Sequence, residues 1–195
     1  MNLTLKEIPR TYPKTKGLAL TAVFAVLLSI FSLIIVPLPF TVVPVTLQVF
    51  MIYLIVNMLG PYYGALSILV YLLMGAIGLP VFAGGTSGVA VLLGPLGGFL
   101  FAFPLSAVIG GFISRRVSTS RNQDAVRVIA ACTVSLLLIY FLGPFWLAQV
   151  TKLPLAKAYE IGAIPFIPFD IAKAVLAVPL ALYFRRIRND LPVHR

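Results

Sequence analysis

Charge is what this sequence has least of. Its 195 residues include five acidic residues, one histidine and one cysteine, and only 10% are charged. So few His and Cys residues cannot build a zinc or other metal cluster, and neither a G-x-x-x-x-G-K-[ST] nucleotide loop nor an H-E-x-x-H pair occurs. The lone Cys132 can form no internal disulfide and sits in an apolar stretch, where it reads as a small packing residue. His194 falls in a basic tail and reads as solvated, so no metal and no resident cofactor is expected. From Gly17 to Ser114 there is no Asp, Glu, Lys or Arg. With 61% hydrophobic residues and a mean hydropathy of +1.06, such a chain cannot be arranged as a water-soluble globule. Its solvent has to be lipid. One crossing takes roughly 20 residues, so the neutral run alone holds four. The length suits one all-α transmembrane bundle and leaves no room for a soluble catalytic domain.

Proline and glycine cut the chain into spans, because helix ends and connections tolerate them. The expected helices cover about 17–36, 47–59, 62–78, 95–114, 128–150 and 169–184. Pro37, Pro39 and Pro44 mark the first connection, and Gly60-Pro61 closes the second helix. A glycine-rich connection without helical period runs from Val81 to Gly94. Arg115 to Arg127 forms a charged linker, and Gly143-Pro144 interrupts the fifth span. No internal repeat stands out. The basic residues then set orientation, since short loops rich in Lys and Arg stay in the cytoplasm. Lys6, Arg10, Lys14 and Lys16 precede the first helix, Arg115, Arg116, Arg121 and Arg127 join the fourth to the fifth, and Arg185, Arg186, Arg188 and Arg195 follow the sixth. With six crossings all fall on one side. Both termini are therefore expected to be cytoplasmic in a multi-pass protein of the cell membrane. The net charge of +10 then reads as topology signals and anionic-lipid anchors, not as a nucleic-acid surface. The first span carries no small-residue cleavage site and does not read as a signal peptide.

This topology brings three unusual segments to the outer face: Phe40 to Thr46, Val81 to Gly94 and Thr151 to Pro168. Proline- and glycine-rich backbone at membrane depth must be buried in protein or line a cavity, because lipid cannot satisfy its amides. Gly84, Gly85 and Gly88, with Thr86 and Ser87, suit either a polar ligand group or a plain turn. Asp170 and Lys173 are the ionisable pair inside an expected span, at i and i+3 on one helix face. Either charge at mid-bilayer costs roughly 2.5–3.5 kcal/mol, so such residues usually face the interior and serve a site. The pair either grips a ligand offering both an N–H and a C=O, as a urea does, or closes on itself as a packing ion pair.

No residues for energy conversion are visible, so a solute bound here needs a driving partner. Gly17, Thr21, Ala25 and Ser29 form an i, i+4 stripe of small residues on the first helix, which admits close approach by a partner subunit or by a neighbour in the bundle.

Four segments together resemble a known family: Pro37 to Gln48 (PLPFTVVPVTLQ), Gly78 to Gly88 (GLPVFAGGTSG), Leu93 to Phe99 (LGPLGGF) and Pro165 to Lys173 (PFIPFDIAK). They are similar to the BioY proteins, the biotin-binding substrate components (S-components) of energy-coupling factor (ECF) transporters. Leu96 stands where that family commonly has Thr, and Phe169 where it has Gly. The resemblance implies a six-helix bundle with a biotin pocket roofed by the first and third interhelical loops. Its matching positions are Phe40, Thr41 and Gln48, then Phe82, Gly84, Gly85 and Thr86, then Asp170 and Lys173. It further implies a membrane coupling subunit and a pair of ATPase subunits as partners, with toppling of the S-component to carry biotin inward. The helix-one stripe is the expected contact. The competing classes are an S-component for riboflavin or thiamine, an intramembrane enzyme, and a structural subunit that binds no vitamin. The absence of a nucleophile and base cluster argues against the enzyme.

Overall fold

The computed structural model describes residues 14–115 and 120–190, with side chains to 186 in the last helix. Lys6, Arg10, Arg116, His194 and Arg195, and the side chain of Arg188, lie outside the described residues. Helices make up almost all of the rest: α1 (Lys14–Leu33), α2 (Gln48–Ala76), α3 (Val89–Leu93), α4 (Gly97–Ser114), α5 (Arg121–Thr151), α6 (Leu155–Gly162) and α7 (Ile167–Asp190). Two short strands, β1 (Ile35–Val36) and β2 (Val45–Thr46), pair antiparallel, with Ile35 opposite Thr46 and Val36 opposite Val45.

Five stretches are long and apolar enough to cross a bilayer: Lys14–Leu33, Gln48–Ala76, Gly97–Ser114, Arg121–Thr151 and Leu155–Arg186. Large apolar side chains cover their outer faces, among them Val23, Ile30, Leu137, Phe141, Val175 and Leu176. A continuous exposed surface of that kind belongs in lipid.

The second and third expected helices are the two limbs of α2. Gly60, with φ 74° and ψ −168°, breaks the helix. A Cβ on Gly64 would lie 3.2 Å from the Ile55 side chain. Residues nine apart in a straight helix are about 13 Å apart, so the limbs fold back on each other. Because Gln48–Ala76 counts as one stretch although it bends back at Gly60, five long spans are found rather than six, and its first limb, 12 residues from Gln48 to Leu59, spans only about 18 Å. Gly111 of α4 packs on this turn, its position for a Cβ 2.5 Å from the Pro61 nitrogen. Two further differences concern helices. The expected break at Gly143-Pro144 does not occur, and α5 runs through Pro144. The connections read as irregular instead contain α3 and α6.

Small residues bring the bundle together. Helix α4 lies between α2 and α5, burying Ala102, Ser106, Ala107, Gly110 and Gly111, and Ser106 Oγ donates to the Ser135 carbonyl at 3.2 Å. The helix-one stripe finds its neighbour inside the molecule: Gly17, Thr21, Ala25 and Ser29 are all buried. The ring of Tyr63 lies where a Cβ on Gly17 would fall, 2.2 Å away. The expected docking of a partner subunit through this stripe is therefore corrected, because α2 already covers it.

Helix α7 buries a single line of residues: Asp170, Lys173, Ala177, Ala181 and Arg185. Arg185, read from the sequence as a topology signal and lipid anchor, is 1% exposed and bonds Asp124 in the first turn of α5 at 2.9 Å. Apart from buried Lys173, the other described cations separate by end. Lys14, Lys16, Arg115, Arg121, Arg127 and Arg186 lie toward the end of the Gly60 turn, whereas Lys152 and Lys157 lie at the end where α2 and α7 begin.

Candidate ligand-binding site

At that second end the chain encloses a cavity of about 60 Å³. All three segments singled out in the sequence reach it: Val43, Pro44 and Thr46 from the first, Phe82, Ala83 and Val91 from the second, Gly162 and Phe166 from the third. Helices α2, α4, α5 and α7 close the sides with Gln48, Leu100, Phe103, Tyr140, Asp170 and Lys173. The lining is mostly aliphatic and aromatic with a few polar groups, the usual make-up of a small-molecule site.

Asp170 and Lys173 are buried one helical turn apart at the start of α7. Asp170 Oδ1 accepts from Lys173 Nζ at 2.6 Å, and Oδ2 accepts from the Tyr140 hydroxyl at 2.7 Å. Two charges are thereby held in an apolar wall, which such a wall permits only when they are paired and hydrogen-bonded. A carboxylate has about four acceptor positions and an ammonium three protons, so both groups keep spare hydrogen-bonding capacity beside the cavity. Gln48 is fixed differently. Its Nε2 donates to the Tyr71 hydroxyl at 2.6 Å, its Oε1 accepts from Thr46 Oγ1 at 3.0 Å, and its backbone N–H donates to the same Thr46 oxygen at 3.2 Å. Strand β2 and both limbs of α2 are thus tied together at the cavity wall.

Phe82 is the aromatic wall, fully buried and edge-on to Tyr71 with ring centroids 5.5 Å apart. It fits because residue 75 is glycine: a Cβ there would fall 2.0 Å from the Phe82 ring. The glycine loop holds it in place. Gly84, Gly85 and Gly88 all adopt positive φ, where L side chains are strained. Gly85 N–H donates to the Phe82 carbonyl at 2.9 Å, Gly88 N–H to the Gly75 carbonyl at 2.7 Å, and Thr86 Oγ1 to the Ala83 carbonyl at 3.0 Å. These bonds fasten the loop to itself and to α2, and Gly84, Gly85, Thr86 and Gly88 do not line the cavity. Nor do Phe40, which is 58% exposed, or Thr41, whose hydroxyl accepts from the Val43 N–H at 3.2 Å. Ser32 Oγ donates to the carbonyl of Val81, fastening the same loop to α1.

The structure thus brings Asp170, Lys173, Gln48 and Phe82 around one space and leaves Phe40, Thr41, Gly84, Gly85 and Thr86 behind its wall. Sequence reasoning missed Tyr140. A phenol in mid-span needs a hydrogen-bond partner, and that need was the signal available. It also missed Phe99, Phe103 and Ile139, which look in sequence like any other apolar residue of a span.

Buried ionic chemistry beside a mostly apolar cavity, in a bundle whose outer face is made for lipid, defines a membrane-embedded binder of a small polar molecule. The particular family is equally plain: residues 4–190 match the model of the BioY family, and the chain belongs to it. It is 41% identical to the probable biotin transporter BioY of Pyrococcus horikoshii over 86% of this chain and 95% of that protein. To the biotin transporter BioY of Thermotoga maritima it is 38% identical, over 78% and 86%. The fold is similar to that of a crystal structure of the S-component for biotin from an ECF-type ABC transporter. The TM-score is 0.81 at 32% identity, covering 89% of this chain and 92% of that one. These proteins are transporter components and not enzymes.

Proposed function

We propose that this protein is the biotin-binding S-component of an ECF-type uptake transporter, capturing biotin outside the cell and delivering it inward. The observation that carries this reading is the Asp170, Lys173 and Tyr140 cluster, a buried acid and base with spare hydrogen-bonding capacity facing a cavity. Asp170 accepts a ureido N–H, and Lys173 donates to the ureido oxygen or to the carboxylate. Gln48 and the Phe82 ring line the pocket, while Phe40, Thr41, Gly84, Gly85 and Thr86 belong to the two segments that roof it. Biotin enters past this roof, where the tip of the 37–44 connection exposes Phe40 and Val42.

The chain crosses the cell membrane six times as a single domain, the two limbs of α2 counting as two crossings. Its basic end, with both termini, lies in the cytoplasm. Because no described residue provides for energy conversion, transport draws on a membrane coupling subunit and two ATPase subunits, whose ATP hydrolysis topples the bundle. With the helix-one stripe buried, the coupling subunit meets another surface of the bundle.

Calorimetric titration of the purified protein with biotin tests this reading. Tight one-to-one binding is expected, with none for riboflavin or thiamine. Asp170→Asn and Lys173→Ala proteins, shown to be folded, should bind biotin about 10- to 100-fold more weakly, the range expected for hydrogen bonds to charged groups. Wild-type affinity in both variants refutes the site.

A further inference from the structure

Three buried or half-buried tyrosines lie at or behind the polar wall of the cavity, and two have bonded hydroxyls: Tyr71 accepts from Gln48, and Tyr140 donates to Asp170. The third is Tyr53, fully buried, whose hydroxyl has no hydrogen-bond partner among the described residues. A buried phenol normally finds one, and leaving it bare is costly.

Its position on α2 says where a partner would come from. Val49 lines the cavity, and Tyr53 follows four residues later on the same helix face, one turn deeper. Side chains of a helix lean toward its N-terminus, and the N-terminus of α2 is at the cavity, so the ring leans from the turn below toward the floor. The phenol lies between the Asp170 and Tyr140 pair on the cavity side and Cys132 on the other. Asp170 already receives protons from Lys173 and Tyr140 on its two oxygens. The free phenolic proton is thus available to an acceptor brought in from outside.

We propose that Tyr53 is a specificity-determining residue at the floor of the pocket, donating its hydroxyl proton to the carbonyl oxygen of a cyclic urea whose adjacent N–H is held by Asp170. A cyclic urea presents N–H and C=O side by side along one edge, which matches an acceptor and a donor arranged next to each other. The proposal rests on the biotin reading above and names the contact that distinguishes the urea head from other heterocycles. Tyr53 lies beneath the present lining, so the ligand reaches it as the cavity widens.

The test is Tyr53→Phe, which keeps the ring and removes the oxygen, titrated in parallel with biotin and with its thiourea analogue, whose C=S is a poor acceptor. Biotin affinity is expected to fall about tenfold, and affinity for the thiourea to change less than twofold. The unliganded variant should melt at the wild-type temperature or above it, since a bare buried hydroxyl is lost. Unchanged biotin affinity, an equal loss for both ligands, or a lowered melting temperature each overturns the proposal. A wild-type protein that binds no biotin refutes the functional reading itself, and this assignment with it. Wild-type binding with an unaffected variant refutes Tyr53 alone.

Discussion

Helix α7 carries a buried ion pair at each end, and the two pairs have opposite surroundings. At the basic end, Arg185 Nη1 donates to Ser114 Oγ at 2.7 Å, and Nη2 donates to the Ser114 carbonyl and to Asp124 Oδ1, both at 2.9 Å. Ser114 in turn donates to Asn57 Oδ1 at 2.8 Å, and Asn57 Nδ2 donates to the Tyr53 carbonyl and toward Cys132 Sγ. Four helices meet in that net, and it borders no described cavity. About 22 Å up the same helix, Asp170 and Lys173 have one helical neighbour each and Tyr140, with a cavity beside them. Burial and opposite charge are common to both pairs, so neither property marks a binding site. Hydrogen-bonding capacity left over next to open space does, because only such a pair can exchange or add partners without breaking the fold.

The largest effect is expected at the basic end. Arg185→Ala removes one member of a closed pair and leaves Asp124 and Ser114 buried without it. A destabilisation of about 3–5 kcal/mol is expected, read as a lowered melting temperature in detergent, with biotin affinity of the folded fraction within about twofold of wild type. A large loss of affinity at unchanged stability would erase the distinction. Tyr140→Phe should act the other way. Losing the 2.7 Å bond to Asp170 should weaken biotin binding about fivefold to tenfold and leave stability nearly unchanged, by calorimetry and thermal melting of one preparation. The smallest effect belongs to a third pair, Lys157 with Glu160 at 2.8 Å, whose side chains are 51% and 60% exposed. Lys157→Ala should change stability by less than about 0.5 kcal/mol and leave binding alone, giving the baseline for a solvated pair.

Much of this was readable in residue order. The neutral run and its Pro and Gly punctuation marked helices α1, α2 and α4, because bilayer thickness and the chemistry of helix ends act locally. The turn at Gly60-Pro61 was legible for the same reason, even though the short first limb is less than a bilayer across. Asp170 and Lys173 stood out because ionisable residues in a span are expensive. Continuity through Pro144 was not legible, since the packing of Gly143 against the ring of Phe99 belongs to the tertiary structure. The stripe Gly17, Thr21, Ala25 and Ser29 announced a close neighbour without saying which. Small residues describe the contact distance, and only the folded chain showed α2 in the seat.

By itself, the sequence determined the solvent, the helical class and the acid–base pair, consequences of composition or of spacing along one helix, and four motif segments carried the resemblance to the family. Tertiary structure alone decided that Arg185 is buried in an ion pair, that Tyr140 bonds Asp170 at the cavity, and that the glycine loop braces Phe82. Those outcomes depend on which groups from distant segments meet, and a hydrogen bond or a void exists only once they have met.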